Sequence, residues 1–326
     1  MNALLKQRII YFLQISVGLI LVLWILRQVD REKFIDYFSS LSLLNLVLIL
    51  VLSAGSLVLQ FQRWRYLIDQ YSAHFDRKDL LPSFFAGFSF RLIIPGGPAE
   101  FSKIFIMSGR KRGKALAFAM EKVFLTLIKM FAILIVLPLT FQSYFVYCLI
   151  LFAILVAAYF LLPRFRLLSE LREKEANYHF VFVMNVFFSL GILLIMAMQY
   201  YILLNQMDPI SLPATLHTVV YLWSAGIVPI SISGLGIREG LAVYFFRFYG
   251  IAPAYAVATS LFLFTINAIL PALVGVYYIY KNRAHFREFK KSLASSREII
   301  SGIVRNNRRQ VKNDRDKREA MNNKRD

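Results

Sequence analysis

The apolar positions of this chain fall in blocks rather than alternating. Residues 9–26, 41–60, 123–141, 144–163 and 254–280 carry at most one charged side chain each, and 179–204 reads the same way. A run of about 20 apolar residues, wound as a helix, spans the ~30 Å hydrocarbon core of a bilayer. The pattern predicts membrane-crossing helices joined by short polar loops, with no period-2 alternation that would suggest strands. Two further apolar stretches, 80–107 and 214–249, are interrupted by glycine and proline. The first break is Ile94-Pro95-Gly96-Gly97-Pro98-Ala99-Glu100 and the second is Ser233-Gly234-Leu235-Gly236-Ile237-Arg238-Glu239. Aligning Glu100 with Glu239 also aligns Gly97 with Gly236. In lipid, a broken helix is tolerated only where its freed backbone groups are buried or line a polar cavity. A duplicated pair of such breaks points to a binding site at the interface of two repeats.

Composition agrees with the pattern. The 326 residues are 58% hydrophobic and only 17% charged, too little polar surface for a soluble domain of this size. The first run is too long for a signal peptide and lacks a small-residue cleavage site before Arg27, so it reads as a retained helix. The lone Cys148 excludes an internal disulfide. Residues 1–280 form one membrane domain on this reading, with repeat units at about 9–140 and 144–280. Residues 281–326 form a basic cytoplasmic tail, polar enough to be partly disordered at its end. The net charge of +19 is concentrated there and in a few loops, which suits contact with anionic lipid rather than nucleic acid.

The basic residues set a topology. Lys6 and Arg8 put the N-terminus in the cytoplasm, and the loop around 28–40 lies outside. Helix 2 returns to a loop holding Arg63, Arg65, Arg77 and Lys78. The first interrupted stretch has these on one side and Arg110, Lys111, Arg112 and Lys114 on the other, so it enters from the cytoplasm and returns there. Helix 4 leads back to Arg164, Arg166, Arg172 and Lys174. The second interrupted stretch lies between 205–213 and 250–253, which contain no Lys or Arg, so it enters and leaves from outside. Only Arg27, Arg31 and Lys33 are left outside, as the positive-inside rule demands. Both termini are then cytoplasmic, in a multi-pass protein of a bacterial inner membrane. The expected fold is all-α: a polytopic transmembrane bundle with two broken or re-entrant hairpins related by an inverted-topology repeat. Replacing either hairpin by two full helices leaves every loop on the same side.

Few charges fall inside membrane segments. The acids are Glu100, Glu121 and Glu239; the bases are Arg91, Lys103, Lys122, Lys129, Arg238 and Arg247. A charge at the bilayer centre costs ~2.5–3.5 kcal/mol on insertion scales, so such residues usually face a cavity or a partner. Half-helix N-termini at the breaks offer unpaired N–H groups and a positive dipole end. Gly96, Gly97, Gly234 and Gly236 would let a ligand approach the backbone, with Pro95, Glu100 and Glu239 lining the site. Arg91, Lys103, Lys122 and Arg238 would hold an anionic head group, with Glu121 beside them. A structural reading stands next to this one. Carboxylates at helix starts favour the dipole, and Arg238 and Glu239 neutralise each other. Glu121 and Lys122 fit an interfacial position, Lys129 a snorkelling one, and Arg247 an outer anchor. His74, His179, His217 and His285 lack metal-ligand spacing, and neither a nucleophile elbow nor a phosphate loop occurs. No cofactor is expected.

The segments Ile93–Met107, Ala119–Leu127 and Pro229–Ile251 resemble motifs of the flippase-like integral membrane family, best known as the transmembrane region of lysylphosphatidylglycerol synthases. The resemblance covers roughly residues 10–280, and its second break is its most specific element. It departs at Lys122, where arginine is usual, and at Pro98, which crowds the first break. The resemblance implies movement of a lipid or lipid-linked group between leaflets. The synthases carry a large cytosolic aminoacyl-transferase domain after this region. A short basic tail follows here, so enzymatic activity is not expected. The expected partners are the membrane and an anionic phospholipid or polyprenyl-linked lipid. One alternative is a non-transporting protein that presents lipid to a membrane-associated glycosyl- or acyl-transferase. A third reading makes Glu100 or Glu239 the general acid/base of a membrane-embedded enzyme.

Overall fold

A computed structural model of the chain describes residues 16, 20–27, 30–93, 100–101, 103–164, 173–227 and 234–281, and these contain helices and no strand. Pro95, Gly96 and Gly97 of the first break and the tail beyond Lys281 lie outside the described residues, as does most of the first apolar run, of which 20–27 is helical. Five helical spans are long and apolar enough to cross a membrane: Leu43–Tyr71, Arg112–Thr140, Gln142–Arg164, Tyr178–Asn205 and Pro253–Lys281. The protein is therefore a polytopic helical bundle, as the blocks of apolar residues predict.

The helices are α1 (Arg31–Ser39), α2 (Leu43–Tyr71), α3 (Leu80–Ile93), α4 (Arg112–Thr140), α5 (Phe145–Leu161), α6 (Tyr178–Asn205), α7 (Leu212–Ser224), α8 (Ile237–Phe246) and α9 (Pro253–Lys281). A single turn, Lys103–Ile106, follows the first break. Their starts are written in the sequence. Ser42, Asn177 and Ser211 each accept a backbone N–H of the first turn of α2, α6 and α7 through a side-chain oxygen. Pro253 opens α9, where a missing N–H costs nothing. A π-helical segment, Thr265–Ile269, interrupts α9 halfway; such segments recur at functional sites.

Two sequence expectations change. The stretch around 28–40 is not a plain loop. Asp30 caps α1, whose Tyr37 is fully buried and accepts a hydrogen bond from Thr259 of α9. Arg63 and Arg65 do not sit in a loop either. Trp64, Leu67, Ile68 and Tyr71 continue the apolar face of α2 at helical spacing, so the helix runs on past both arginines.

The buried apolar side chains form two large clusters. One joins Trp64, Leu67 and Ile68 of α2 to Phe84 of α3, Ile104, Leu116 and Phe124 of α4, and Ala272 of α9. The other joins Ile49 of α2 to Leu193 and Tyr200 of α6, Val219 of α7, Phe246 of α8 and Leu263 of α9. On α2, α6 and α9 the two clusters occupy opposite ends, with polar residues between them. Each cluster also takes up the helical limbs around one break: α3 and 103–106 in the first, α7 and α8 in the second.

The first cluster depends on a close approach between α3 and α9. Ser89 Oγ donates to the Ala272 carbonyl at 2.6 Å, and a Cβ on Gly275 would overlap the Phe85 carbonyl and Ser89 Oγ. Backbone cannot yield as a flexible side chain can, and overpacking costs about 1–3 kcal/mol. Gly275→Ala should lower the melting temperature of the detergent-solubilised protein by several degrees, measured by tryptophan fluorescence. An unchanged melt would show that α3 and α9 are not packed this tightly.

Candidate functional site

Polar side chains within the long helices share faces. On α2, Ser53, Ser56, Gln60 and Arg63 recur at spacings of three and four, and on α4 Lys122, Thr126 and Lys129 do the same. All of these but Ser53 line a cavity of about 360 Å³. Its lining includes Ser56 of α2, Thr126 of α4, Ile192 of α6 and Asn267 of α9, each at or next to the middle of its apolar span. The cavity thus lies at mid-height of four spans.

Two ion-pair networks wall it. In the first, Glu100 Oε2 meets Lys122 Nζ at 2.5 Å and Glu100 Oε1 meets Lys103 Nζ at 3.6 Å. Lys103 Nζ also donates to Glu121 Oε2 at 2.7 Å, and Glu121 Oε1 lies 3.6 Å from Arg63. Lys103 rests 3.7 Å above the Trp64 ring, whose Nε1 donates to Ser83 of α3. Aromatic faces attract a cation, so the tryptophan face and two carboxylates together surround this buried lysine. Arg63 NH1 reaches across to Ser189 Oγ of α6 at 3.3 Å.

The second network is built on the second break. Gly236, at φ 84°, turns the chain into α8 in a left-handed conformation that L side chains avoid. Its N–H donates to Glu239 Oε2 at 2.6 Å, so the carboxylate caps the helix start. Glu239 Oε1 accepts from Arg238 at 2.6 Å and from Ser260 Oγ at 2.9 Å. Arg238 also donates to the Ser260 carbonyl at 3.0 Å and packs over the Phe264 ring.

The residues singled out from sequence therefore divide by position. Arg91, Glu100, Lys122, Gly234 and Arg238 line the cavity. Glu121, Lys103 and Glu239 do not: each is buried behind the wall, 0–5% exposed, and holds a lining cation or carboxylate in place. Glu239 in particular was expected to face a ligand. Its oxygens are instead consumed by Gly236, Arg238 and Ser260, which makes it a cap and a positioning residue. Gly236 is the cap position itself. Lys129, expected to snorkel, is kept at the cavity with its Nζ 5.1 Å from the Trp223 ring centre.

Several lining residues carry little signal in the sequence. Arg63 looked like a loop anchor because it follows an apolar run. Its spacing from Ser53, Ser56 and Gln60 was the available signal. Gln199 and Asn267 exchange amide hydrogen bonds across α6 and the π segment, and Gln199 donates to Ser53 Oγ at 2.7 Å. Single amides in apolar runs gave little hint of this. Among the described residues, no group of three His, Cys, Asp or Glu side chains is placed to hold a metal ion.

The charge balance is lopsided. Arg63, Arg91, Lys103, Lys122, Lys129 and Arg238 are set against Glu100, Glu121 and Glu239, a formal excess of three basic groups over acidic ones. Among the described residues no carboxylate makes an ion pair with Arg91 or Lys129. The buried Nε atoms of Arg63 and Arg91 have no hydrogen-bond acceptor among the described residues. Buried charges and donors of this kind are costly unless paired, and the pattern suits an anionic ligand.

The chain belongs to the family described as the lysylphosphatidylglycerol synthase TM region, whose model matches residues 11–275. Comparison with curated proteins returned no match. Membership agrees with the resemblance carried by the two breaks and by Glu121-Lys122, and it makes this an integral membrane protein of a lipid-related family.

Glu239→Gln should unsettle the fold before it affects any ligand, because it strips Arg238 of its carboxylate. Breaking one partner out of a buried pair costs about 3–5 kcal/mol. A clear drop in melting temperature is expected, partly recovered in Arg238→Met/Glu239→Gln. A wild-type melt for the single variant would contradict the clamp.

Proposed function

We propose that the cavity receives the anionic head group of a lipid or lipid-linked intermediate, and that the protein moves this lipid between the two leaflets of a bacterial inner membrane. The observation that carries the reading is the formal excess of basic groups in a cavity at the middle of four apolar spans. A head group crossing a bilayer must leave water, and its phosphate needs fixed cations at the midplane to replace hydration. Its acyl or prenyl chains remain in the hydrocarbon. Arginine supplies directional donors to phosphoryl oxygens, while lysine supplies a compact charge.

The two apolar clusters are the natural barriers. On the orientation proposed from the basic loops, the cluster around α3 and residues 103–106 closes the cytoplasmic end, and the cluster around α7 and α8 closes the outer end. Opening them in turn would expose the same cavity to each leaflet, as in carriers built from inverted repeats. An inverted repeat is supported by paired lengths: α2, α3 and α4 have 29, 14 and 29 residues, and α6, α7 and α9 have 28, 13 and 29. At 1.5 Å per residue, limbs as short as α3, α7 and α8 fall below the ~30 Å needed to cross, which favours re-entrant hairpins. The protein acts as a carrier and not as an enzyme on this reading. Glu100, Glu121 and Glu239 are each engaged by cations, which leaves little room for acid–base work.

Two measurements check the proposal. In liposomes, a fluorescent anionic lipid should exchange between leaflets with wild-type protein and about tenfold or more slowly with Arg91→Gln/Lys129→Gln, since charged hydrogen bonds contribute about 1.5–3 kcal/mol each. Full exchange by the double variant would end the case; tight binding without exchange would instead favour a protein that presents lipid to a transferase. In a Cys148→Ser background, cysteines in 205–213 or 250–253 should react with an impermeant reagent added outside, and cysteines in 108–114 should not. Labelling of 108–114 would overturn the orientation.

A further inference from the structure

The cationic surplus bears on how much charge the ligand brings. A glycerophospholipid joined through a phosphodiester carries one negative charge and two non-bridging oxygens. Set into this cavity, it would leave most of the surplus buried and uncompensated. Arg91 comes from α3, Lys129 from α4, and Arg63 from α2, so the unsatisfied groups approach from three elements. Arg63 is 7% exposed, and its Nε is buried without an acceptor among the described residues, as is that of Arg91. Lys129 has only the Trp223 face and no carboxylate among the described residues. Lys122 is already paired with Glu100, Arg238 with Glu239, and Arg63 through one terminal nitrogen with Glu121, so the shortfall falls on Arg91, Lys129 and the Nε of Arg63.

We infer that the ligand of this site bears a phosphoryl group with at least two negative charges, a phosphomonoester or a diphosphate, rather than a singly charged phosphodiester. The inference rests on the anionic-lipid reading and sharpens it. A phosphomonoester or diphosphate supplies three or more unesterified oxygens, enough for Arg63, Arg91 and Lys129 together. Charge-assisted hydrogen bonds to such oxygens are about twice as strong as neutral ones, and a low-dielectric site raises the penalty for leaving any of these cations unpaired. The rest of the wall agrees. Ser56, Gln60, Thr126 and Asn267 offer neutral hydroxyl and amide groups. The lining carboxylate, Glu100, is engaged by Lys122 and Lys103, so nothing is set out to receive an ammonium. A head group carrying a free amine would meet repulsion.

The test uses the full chain purified in detergent, with binding followed by titration calorimetry and by melting shift. The probes are farnesyl diphosphate, farnesyl monophosphate, short-chain phosphatidylglycerol, short-chain phosphatidylethanolamine and inorganic pyrophosphate. Both farnesyl phosphates should bind about tenfold or more tightly than phosphatidylglycerol, and phosphatidylethanolamine should bind most weakly. Arg91→Gln and Lys129→Gln should each erase most of that preference while melting like wild type, because neither side chain is in an ion pair. Equal or tighter binding of phosphatidylglycerol would overturn the inference, as would an undiminished preference in the double variant. Pyrophosphate binding as tightly as farnesyl diphosphate would assign the site to a free phosphate compound and overturn a lipid source. The two readings fail separately. Leaflet exchange of phosphatidylglycerol with no preference for the doubly charged probes overturns this inference alone. Selective binding of those probes without exchange overturns transport alone.

Discussion

Charge that cannot reach water must find charge, and this requirement organises the interior of the protein. Six cations and three carboxylates are brought into or behind one cavity at the middle of the bundle. The carboxylates are spent with economy. Glu121 joins Lys103 to Arg63, Glu100 joins Lys103 to Lys122, and Glu239 serves Arg238, Ser260 and the N-terminus of α8 at once. Each links elements distant in sequence, so the networks fix where the broken limbs stand relative to the long spans. The cations left over are what make the cavity a candidate binding site and not merely a satisfied polar core.

The breaks are the device that brings these groups together. A continuous helix buries its backbone polar groups within itself and presents only side chains. The turn at Gly234–Gly236 frees the Gly236 N–H, which Glu239 caps, and Arg238 lines the cavity. The apolar clusters at the two ends of α2, α6 and α9 lie to either side of this polar layer. Each cluster includes the limbs of one break.

Much of this was legible in the sequence, for a physical reason. Long apolar runs have few alternatives to spanning helices, and Glu100, Glu121 and Glu239 stood out because charge in such runs is expensive. The fold class followed, as did the second break at Gly234 and Gly236. Pairing was less legible because it depends on packing between helices. Glu121 pairs with Lys103 and Arg63 and not with its neighbour Lys122, which crosses to Glu100. Arg63 hid at the end of an apolar run, where a cation ordinarily marks an interface. Lys129 read as a snorkelling side chain because nothing in the sequence announced the Trp223 ring beside it. The amides Gln199 and Asn267 meet only because α6 and the π segment of α9 pack side by side.

The central claim is that the mid-bundle cavity holds an anionic lipid head group through cations that lack carboxylate partners. Native mass spectrometry of the protein released from mild detergent tests it most directly. Wild-type protein should retain one molecule of a phosphate-bearing anionic lipid, and Arg91→Gln/Lys129→Gln should lose it while remaining folded. Retention of the same lipid by that variant, or retention of zwitterionic lipid alone by the wild type, would contradict the account.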